Sequence, residues 1–347
     1  MCYKTAAKQH LDHFIPKFRK RGLNGFTSHK LYALLLLCGS ILLICYAGCQ
    51  KTVKRPLRLA MHPWVGYQTL CVSANKGMLN HDLVEIFRTD SISDSAQLLL
   101  KDGVDAAALT LDEVLSLREK GVPLSIVLVF NTSAGADLLI SRPNIARLEE
   151  LKNATIGMED SVLGHLMLAK ILQHADLERK DVRLHFGIVK QHETLWNNPE
   201  IDALITYMPL AENMRVGNIL FDTRMIPEAI IDVLAVRTDR MEQFSTALKH
   251  IVEKHFAVAD NLYPHAPKIL DDMAICLKAD TEETKKSLSN IIMPNVAQNH
   301  ELLNPDQDSQ LIQSAKDILE IMHPRMHFKP ERLENLSSIE YLPQSSE

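Results

Sequence analysis

Between Leu57 and Phe130, short apolar runs alternate with segments of helical spacing, and this alternation narrows the possible folds more than any other feature. Leu57 to Met61 reads as a strand, as do Leu83 to Phe87, Val104 to Leu109 and Leu124 to Phe130. Helical stretches lie between them. One restarts at Tyr67, one runs from Ser95 to Lys101 and stops at Asp102-Gly103, and Leu111 to Lys120 closes at Gly121 with Pro123 beyond. Strands joined by helices rejoin their sheet through right-handed crossovers, so the pattern predicts an α/β fold with a parallel sheet. Open sheets of this kind bind small ligands beyond the carboxyl ends of their strands. In the first unit, RLAMHPWVGYQTLCVSANKGM from Arg58 to Met78, Pro63 cannot donate to a ladder and Gly66 permits a tight turn. That turn sets Trp64 and Tyr67 at the carboxyl edge. A core position for Trp64 is the plainer alternative for a single unit of this type.

The segment NTSAGAD, Asn131 to Asp137, interrupts the rhythm, and Leu138 to Ser141 resumes extended. A second α/β series follows: a strand at Ala154 to Met158, a helix from Ser161 to His174, a strand at Val182 to Ile188, a strand at Asp202 to Ile205, a helix from Met208 to Val216 and a strand at Ile230 to Val236. After Thr238 the chain turns helical, over Arg240 to Leu262, Pro267 to Met273, Thr281 to Ile292 and Gln307 to Met322, and it ends in a polar tail. No linker rich in Pro, Gly and Ser divides the two series. Two lobes joined by short extended crossings are therefore expected, the crossings near Gly135 to Ile140 and Asp232 to Val236.

The N-terminus carries an address. Lys4, Lys8, Lys17, Arg19, Lys20, Arg21 and Lys30 face one acid, Asp12, and an uncharged apolar run follows from Leu31 to Gly48. A basic leader before such a run is an export signal, and the run is also long enough to stay as a membrane anchor. Ala47-Gly48-Cys49 closes it in the manner of a bacterial lipoprotein signal, with Tyr46 as a departure, and makes Cys49 the candidate lipidation site. Either fate leaves the body outside the cytoplasmic membrane, on the periplasmic side and tethered. Without the leader's seven bases and one acid, the formal charge of −5 becomes −11. A body this acidic has no reason to seek nucleic acid or anionic lipid.

Of six cysteines, only Cys71 and Cys276 lie beyond Cys49. In an oxidising compartment they could pair, but nothing in the sequence sets their distance, and two unpaired buried thiols are expected. No Cys or His pair stands at metal-ligand spacing with a second pair nearby, so neither a metal nor a cofactor is expected. G-x-S-x-G, H-E-x-x-H and a phosphate-binding glycine loop are absent from the sequence. His165, His174, His185 and His192 form no nucleophile–base pair by spacing and read as scattered surface and core residues. Catalysis is not expected.

The order of RLAMHPWVGYQTLCVSANKGML, LLLKDGVDAAALTLDEVL, LSIVLVFNTSAGADLLISR, LEELKNATIGMEDSV and IDALITYMP resembles bacterial substrate-binding proteins of ABC importers in the nitrate/sulfonate/taurine group, which overlaps with binders of thiamine-pyrimidine precursors. The resemblance spans about residues 57–237. It implies a type II periplasmic binding fold: two α/β lobes with parallel-dominated sheets flanked by helices, closing about two hinge crossings on a ligand. In that frame residues 1–48 are the signal or anchor and 49–56 a tether. Residues 57–136 and 237–330 form lobe I, 137–236 form lobe II, and 331–347 are a tail. The eukaryotic pyrimidine-synthase relatives carry a cysteine-rich motif that this sequence lacks, which leaves a synthase-like enzyme as the weakest alternative.

The resemblance places Trp64, Gly66 and Tyr67, the loop with Asp90 and Ser91, and Thr110 with Asp112 at the cleft from the first lobe. Ser133, Gly135 and Asp137 lie near the first crossing. Asp160, Ser161, Thr206 and Tyr207 come from the second lobe, and Asp232 from the return crossing. Trp64 and Tyr67 offer flat apolar or cation–π contact. Ser91, Thr110 and Ser161 precede helices, where N–H groups favour an anion, although each also reads as an ordinary cap or strand end. The many carboxylates at these positions would repel a sulfonate or nitrate once water is excluded, so a neutral or cationic organic ligand is expected. The implied partners are a small-molecule ligand, an ABC permease with its ATPase, and a lipid anchor, with the protein a monomer. A tethered sensor signalling to a membrane kinase or cyclase would use the same binding physics.

Overall fold

A computed structural model describes residues 55–214, 217–262, 267–305, 309–322 and 333–344. The leader, the tether up to Lys54 and Cys49 lie outside the described residues. No helix among the described residues is long and apolar enough to cross a membrane.

Among the described residues, eleven strands form two sheets. In chain order they are β1 (Leu57–Met61), β2 (Val84–Arg88), β3 (Ala106–Thr110), β4 (Leu124–Ser133), β5 (Asp137–Ser141), β6 (Thr155–Met158), β7 (Arg183–Phe186), β8 (Ala203–Tyr207), β9 (Asn218–Asp222), β10 (Ile231–Arg237) and β11 (Ile291–Ile292). The helices that flank them are α1 (Gln68–Asn75), α2 (Ile92–Leu100), α3 (Leu111–Glu119), α4 (Val162–His174), α5 (His192–Asn197) and α6 (Leu210–Asn213). They are followed by α7 (Ser245–Ala259), α8 (Pro267–Leu277), α9 (Thr281–Ser289), α10 (Val296–Leu302) and α11 (Gln310–Met322).

The first sheet has the order β11-β4-β10-β3-β1-β2, and the second β7-β6-β8-β5-β9. Each is built on three parallel strands, β2-β1-β3 and β7-β6-β8, as the alternation predicts. The strands around the crossings run the other way. β10 pairs antiparallel with both β3 and β4, and β5 pairs antiparallel with β8 and β9. A chain that leaves one sheet along β4 and comes back along β10 must lay these two strands head to tail, so mixed sheets follow from having two crossings.

The outward crossing lies between β4 and β5 and the return between β9 and β10. They are tied together: the Gly135 N–H donates to Thr223 Oγ1 at 2.7 Å, the Ser133 and Thr223 hydroxyls share a hydrogen bond of 2.8 Å, and Ser133 N–H donates to the Ile230 carbonyl at 2.9 Å. Gly135 has φ +114°, and a Cβ there would meet Asn290 Oδ1 at 2.7 Å, so the turn requires glycine. Beyond the crossings, α11 packs against both α3 and α4.

The strands β1, β3, β4 and β10 are buried along almost their whole length, as expected of a sheet covered on both faces. They form the centre of an apolar core that Tyr67, Phe130, Leu70 and Leu115 complete. The expectation of two free thiols is overturned: Cys71 on α1 and Cys276 on α8 form a disulfide with Cα atoms 6.2 Å apart. The two helices pack against each other, a juxtaposition of residues 205 positions apart that no local pattern announces.

Candidate functional site

The carboxyl ends of the parallel strands of both sheets meet at one cavity of about 60 Å³. From the first sheet it receives Trp64 beyond β1, Ser91 beyond β2 and Thr110 at the end of β3; from the second, Glu159 and Ser161 beyond β6 with Thr206 and Tyr207 at the end of β8. Asp137 opens β5 and Asp232 follows the first residue of β10, and because these strands are antiparallel their starting ends lie at the same edge. Ile92, Leu163, Met167, Val189, Ile205 and Ile230 supply apolar walls.

Trp64 is the hub on the first side. Its ring stands edge-on to Tyr207 with centroids 5.6 Å apart, and its Nε1 donates to Asn131 Oδ1 at 3.1 Å. The Asn131 amide in turn donates to Asp232 Oδ2 at 2.7 Å, while the Tyr67 hydroxyl donates to Asp232 Oδ1. This buried relay joins the cavity wall to β4 and β10. A Cβ on Gly66 would fall 1.6 Å from Asn131 Oδ1, so only glycine lets the turn lie against the relay. Tyr67 itself is fully buried beneath Phe130 and does not line the cavity.

The sequence-derived residues thus divide. Trp64, Ser91, Thr110, Asp137, Ser161, Thr206, Tyr207 and Asp232 line the cavity. Gly66 and Tyr67 support it from behind, and Ser133 and Gly135 belong to the crossing. Asp112 is fully buried just past Thr110, one position inside α3. Asp90 and Asp160 are exposed. Asp90 pairs with Lys190 Nζ at 2.5 Å, a link from the first sheet's loops to the second's, and Asp160 pairs with His165. Glu159 and His192 also line the cavity, the first unremarked in the sequence and the second read there as a scattered surface or core residue. Glu159 stands next to Asp160, so a strand end placed one residue earlier would have chosen it. His192 offered no signal beyond its type.

The site is rich in carboxyls removed from water. Burial pushes Asp112 up to about 7, and Asp137 up to about 6. Glu113 rises to about 8, through burial and the neighbouring charge of Asp112. Asp232 is raised well above its ordinary range, because burial and the nearby Asp137 charge outweigh its hydrogen bond from Tyr67. Glu159 is raised by burial as well, against a hydrogen bond of 3.3 Å from Ser93. Among the described residues, no group of three or more His, Cys, Asp or Glu could hold a metal ion.

These shifts and those of the buried histidines give stability a two-sided pH dependence. Burial lowers His62 and His255 to about 3 and His192 to about 4. Their contribution is present above the unfolded value near 6.5 and is lost as pH falls through the native values. The raised carboxyls contribute below the unfolded range near 4, and lose that contribution as pH rises through their native values of about 6 to 8. The two sets offset each other in mildly acidic solution. Above about pH 7 only the carboxyls act, and stability should fall by about 1.4 kcal/mol per pH unit for each proton the native state still holds. Denaturant unfolding near pH 6 and again near pH 8.5 measures this, with a lower midpoint expected in the alkaline sample.

Comparison with known proteins fits this geometry. Residues 82–253 match the family model described as NMT1/THI5 like. The alkanesulfonate-binding protein SsuA from Xanthomonas axonopodis pv. citri, solved bound to MOPS, is 11% identical with TM-score 0.65, covering 80% of this chain and 95% of its own. The periplasmic nitrate-binding protein NrtA from Synechocystis PCC 6803 is 11% identical with TM-score 0.61, covering 83% and 87%. A ligand-binding component of an ABC-type import system from Staphylococcus aureus is 13% identical with TM-score 0.63, covering 84% and 96%. Comparison with curated protein sequences gives no match. Over residues 82–253 the chain is thus similar to the NMT1/THI5-like family model, and its two-sheet fold is that of the alkanesulfonate-binding and nitrate-binding structures.

Proposed function

We propose that the protein is the extracytoplasmic solute-binding lipoprotein of an ABC importer. It captures a small organic molecule between its two sheets and delivers it, unaltered, to a membrane permease and its ATPase. The observation that carries this reading is a single cavity lined at once by the strand ends of both sheets, with Asp90–Lys190 and Ser93–Glu159 reaching across beside it. Contacts of this kind form when two lobes close and separate when they open. The Cys71–Cys276 disulfide suits an oxidising compartment. Acylation at Cys49 would hold the monomer at the periplasmic face of the membrane.

Two measurements on the full-length protein test the reading. Incubated with a metabolite extract and recovered from membranes, it should retain one small molecule in stoichiometric amount and chemically unchanged. Conversion of the compound, or none retained, overturns solute binding. Fatty-acid labelling should disappear in Cys49→Ala, and labelling that persists overturns the lipoprotein anchor alone.

A further inference from the structure

Three helix N-termini reach the cavity through their capping positions Ser91, Thr110 and Ser161. Unanswered, they would form an anion site, because free N–H groups and the helix dipole both favour negative charge. Here the chain answers them itself. Asp94 stands in the first turn of α2, and Asp112 and Glu113 in that of α3. The first turn of α4 has no acid of its own, but Glu113 reaches over from α3 and accepts the Val162 N–H at 3.2 Å.

The lining adds further acids. Asp137, Glu159 and Asp232 line the cavity and, among the described residues, no lysine or arginine does, while the two histidines on its wall are held neutral by burial. Asp232 is satisfied by Tyr67 and Asn131. Asp137 is not: its Oδ2 is buried without a hydrogen-bond partner, as is the Thr110 hydroxyl on the same wall. A buried carboxyl oxygen with no donor carries a desolvation penalty that a ligand donor removes, and a cationic donor also favours the ionised form that burial disfavours.

We propose that the cavity selects a positively charged organic ligand, an amine or amidine carried on a flat apolar group, and discriminates against anions. Asp137 is the residue that receives the charge, and the edge-on pair Trp64 and Tyr207 forms the aromatic wall against which the flat part lies. This deepens the solute-binding reading and rests on it. It also sets the chain apart from neighbours whose names carry sulfonate and nitrate.

The test is a set of probes matched in shape and different in charge, titrated into the full-length protein by thermal shift and calorimetry. Benzamidine, benzylamine and agmatine are the cations, benzamide the neutral member, and benzoate, benzenesulfonate and nitrate the anions. Benzamidine is expected to bind at least tenfold more tightly than benzamide, with no anion bound. Asp137→Asn, which keeps shape and removes charge, should weaken benzamidine at least tenfold without lowering the melting temperature of the free protein. Glu159→Gln, on a half-buried residue, should weaken it several-fold and is an independent check should Asp137→Asn fail to fold. Benzamide or any anion binding as tightly as benzamidine, or cation affinity unchanged in both variants, overturns the charge assignment and leaves solute binding standing. If no probe of any class binds, the charge assignment falls, and solute binding is judged separately by whether the protein retains a compound from the metabolite extract.

Discussion

Replacing both Cys71 and Cys276 with alanine should lower unfolding stability by about 3–5 kcal/mol, a drop of roughly 10 °C in melting temperature for a body of this size. The bond closes a loop across a sequence separation of 205 residues, and the loop-closure entropy removed from the unfolded chain sets a ceiling of about 5 kcal/mol. Its surroundings are built for it. Arg88 Nη2 lies 2.9 Å from Cys71 Sγ and the Asn75 amide 3.4 Å from Cys276 Sγ, and both cysteines are buried. Differential scanning calorimetry of the double variant, and of the wild-type chain in reductant, should give the same lowered transition. An unchanged transition in either would mean that α1 and α8 hold together without the covalent link.

Asp105→Ala should cost about 3 kcal/mol or more. This carboxylate is completely buried and collects three arginines: Arg55 Nη1 at 2.5 Å, Arg58 Nη2 at 3.1 Å and Arg240 Nη1 at 2.5 Å. They join the chain's entry into β1, the start of β3 and the segment after β10. Burial alone would raise the Asp105 carboxyl, but the hydrogen bonds from Arg55, Arg58 and Arg240 outweigh it and hold the group well below the ordinary carboxylate range. A depressed carboxyl contributes above its unfolded value near 4 and loses that contribution only as pH falls through the native value. Without it, three guanidiniums remain crowded with one less partner, and removing one member of a buried ionic group is among the most damaging single changes. Partial exposure of the arginines keeps the figure at the lower end. The wild-type and variant stability curves should run parallel from about pH 5 to 8; curves that converge in that range would show the contribution to come from elsewhere.

Much of this architecture was legible in the sequence because burial on both faces of a sheet leaves continuous apolar runs. LRLAM, VDAAAL and IIDVLAV each read as strands, and the structure has strands at Leu57–Met61, Ala106–Thr110 and Ile231–Arg237. The strand β9, NILFD, went unrecognised, since an edge strand with Asn218 and Ile219 turned partly outward has neither a continuous run nor clean alternation. The helix α5 is six residues long, too short to show a period. The expected helix at Ser95 begins three residues earlier because the Ser91 hydroxyl accepts the Asp94 N–H at 3.1 Å. In the candidate site, Trp64 and Tyr67 looked equivalent. The turn at Val65–Tyr67 separates them, leaving Trp64 on the cavity wall and turning Tyr67 under Phe130 to meet Asp232. A rotation of that kind depends on tertiary packing, which the local sequence does not encode.

The final stretch of the chain has its own part in solubility. Leu336 and Ser338 bracket Ile126 of β4, with Ile126 N–H donating to the Leu336 carbonyl at 2.8 Å and Ser338 N–H to the Ile126 carbonyl at 2.9 Å, while Tyr341 and Leu342 are buried nearby. At its other end β4 is matched by only the two residues of β11. The C-terminal segment therefore shields main-chain groups that would otherwise template pairing with another molecule. Shortened before Leu333, the protein would present the Ile126 N–H and C=O to its neighbours.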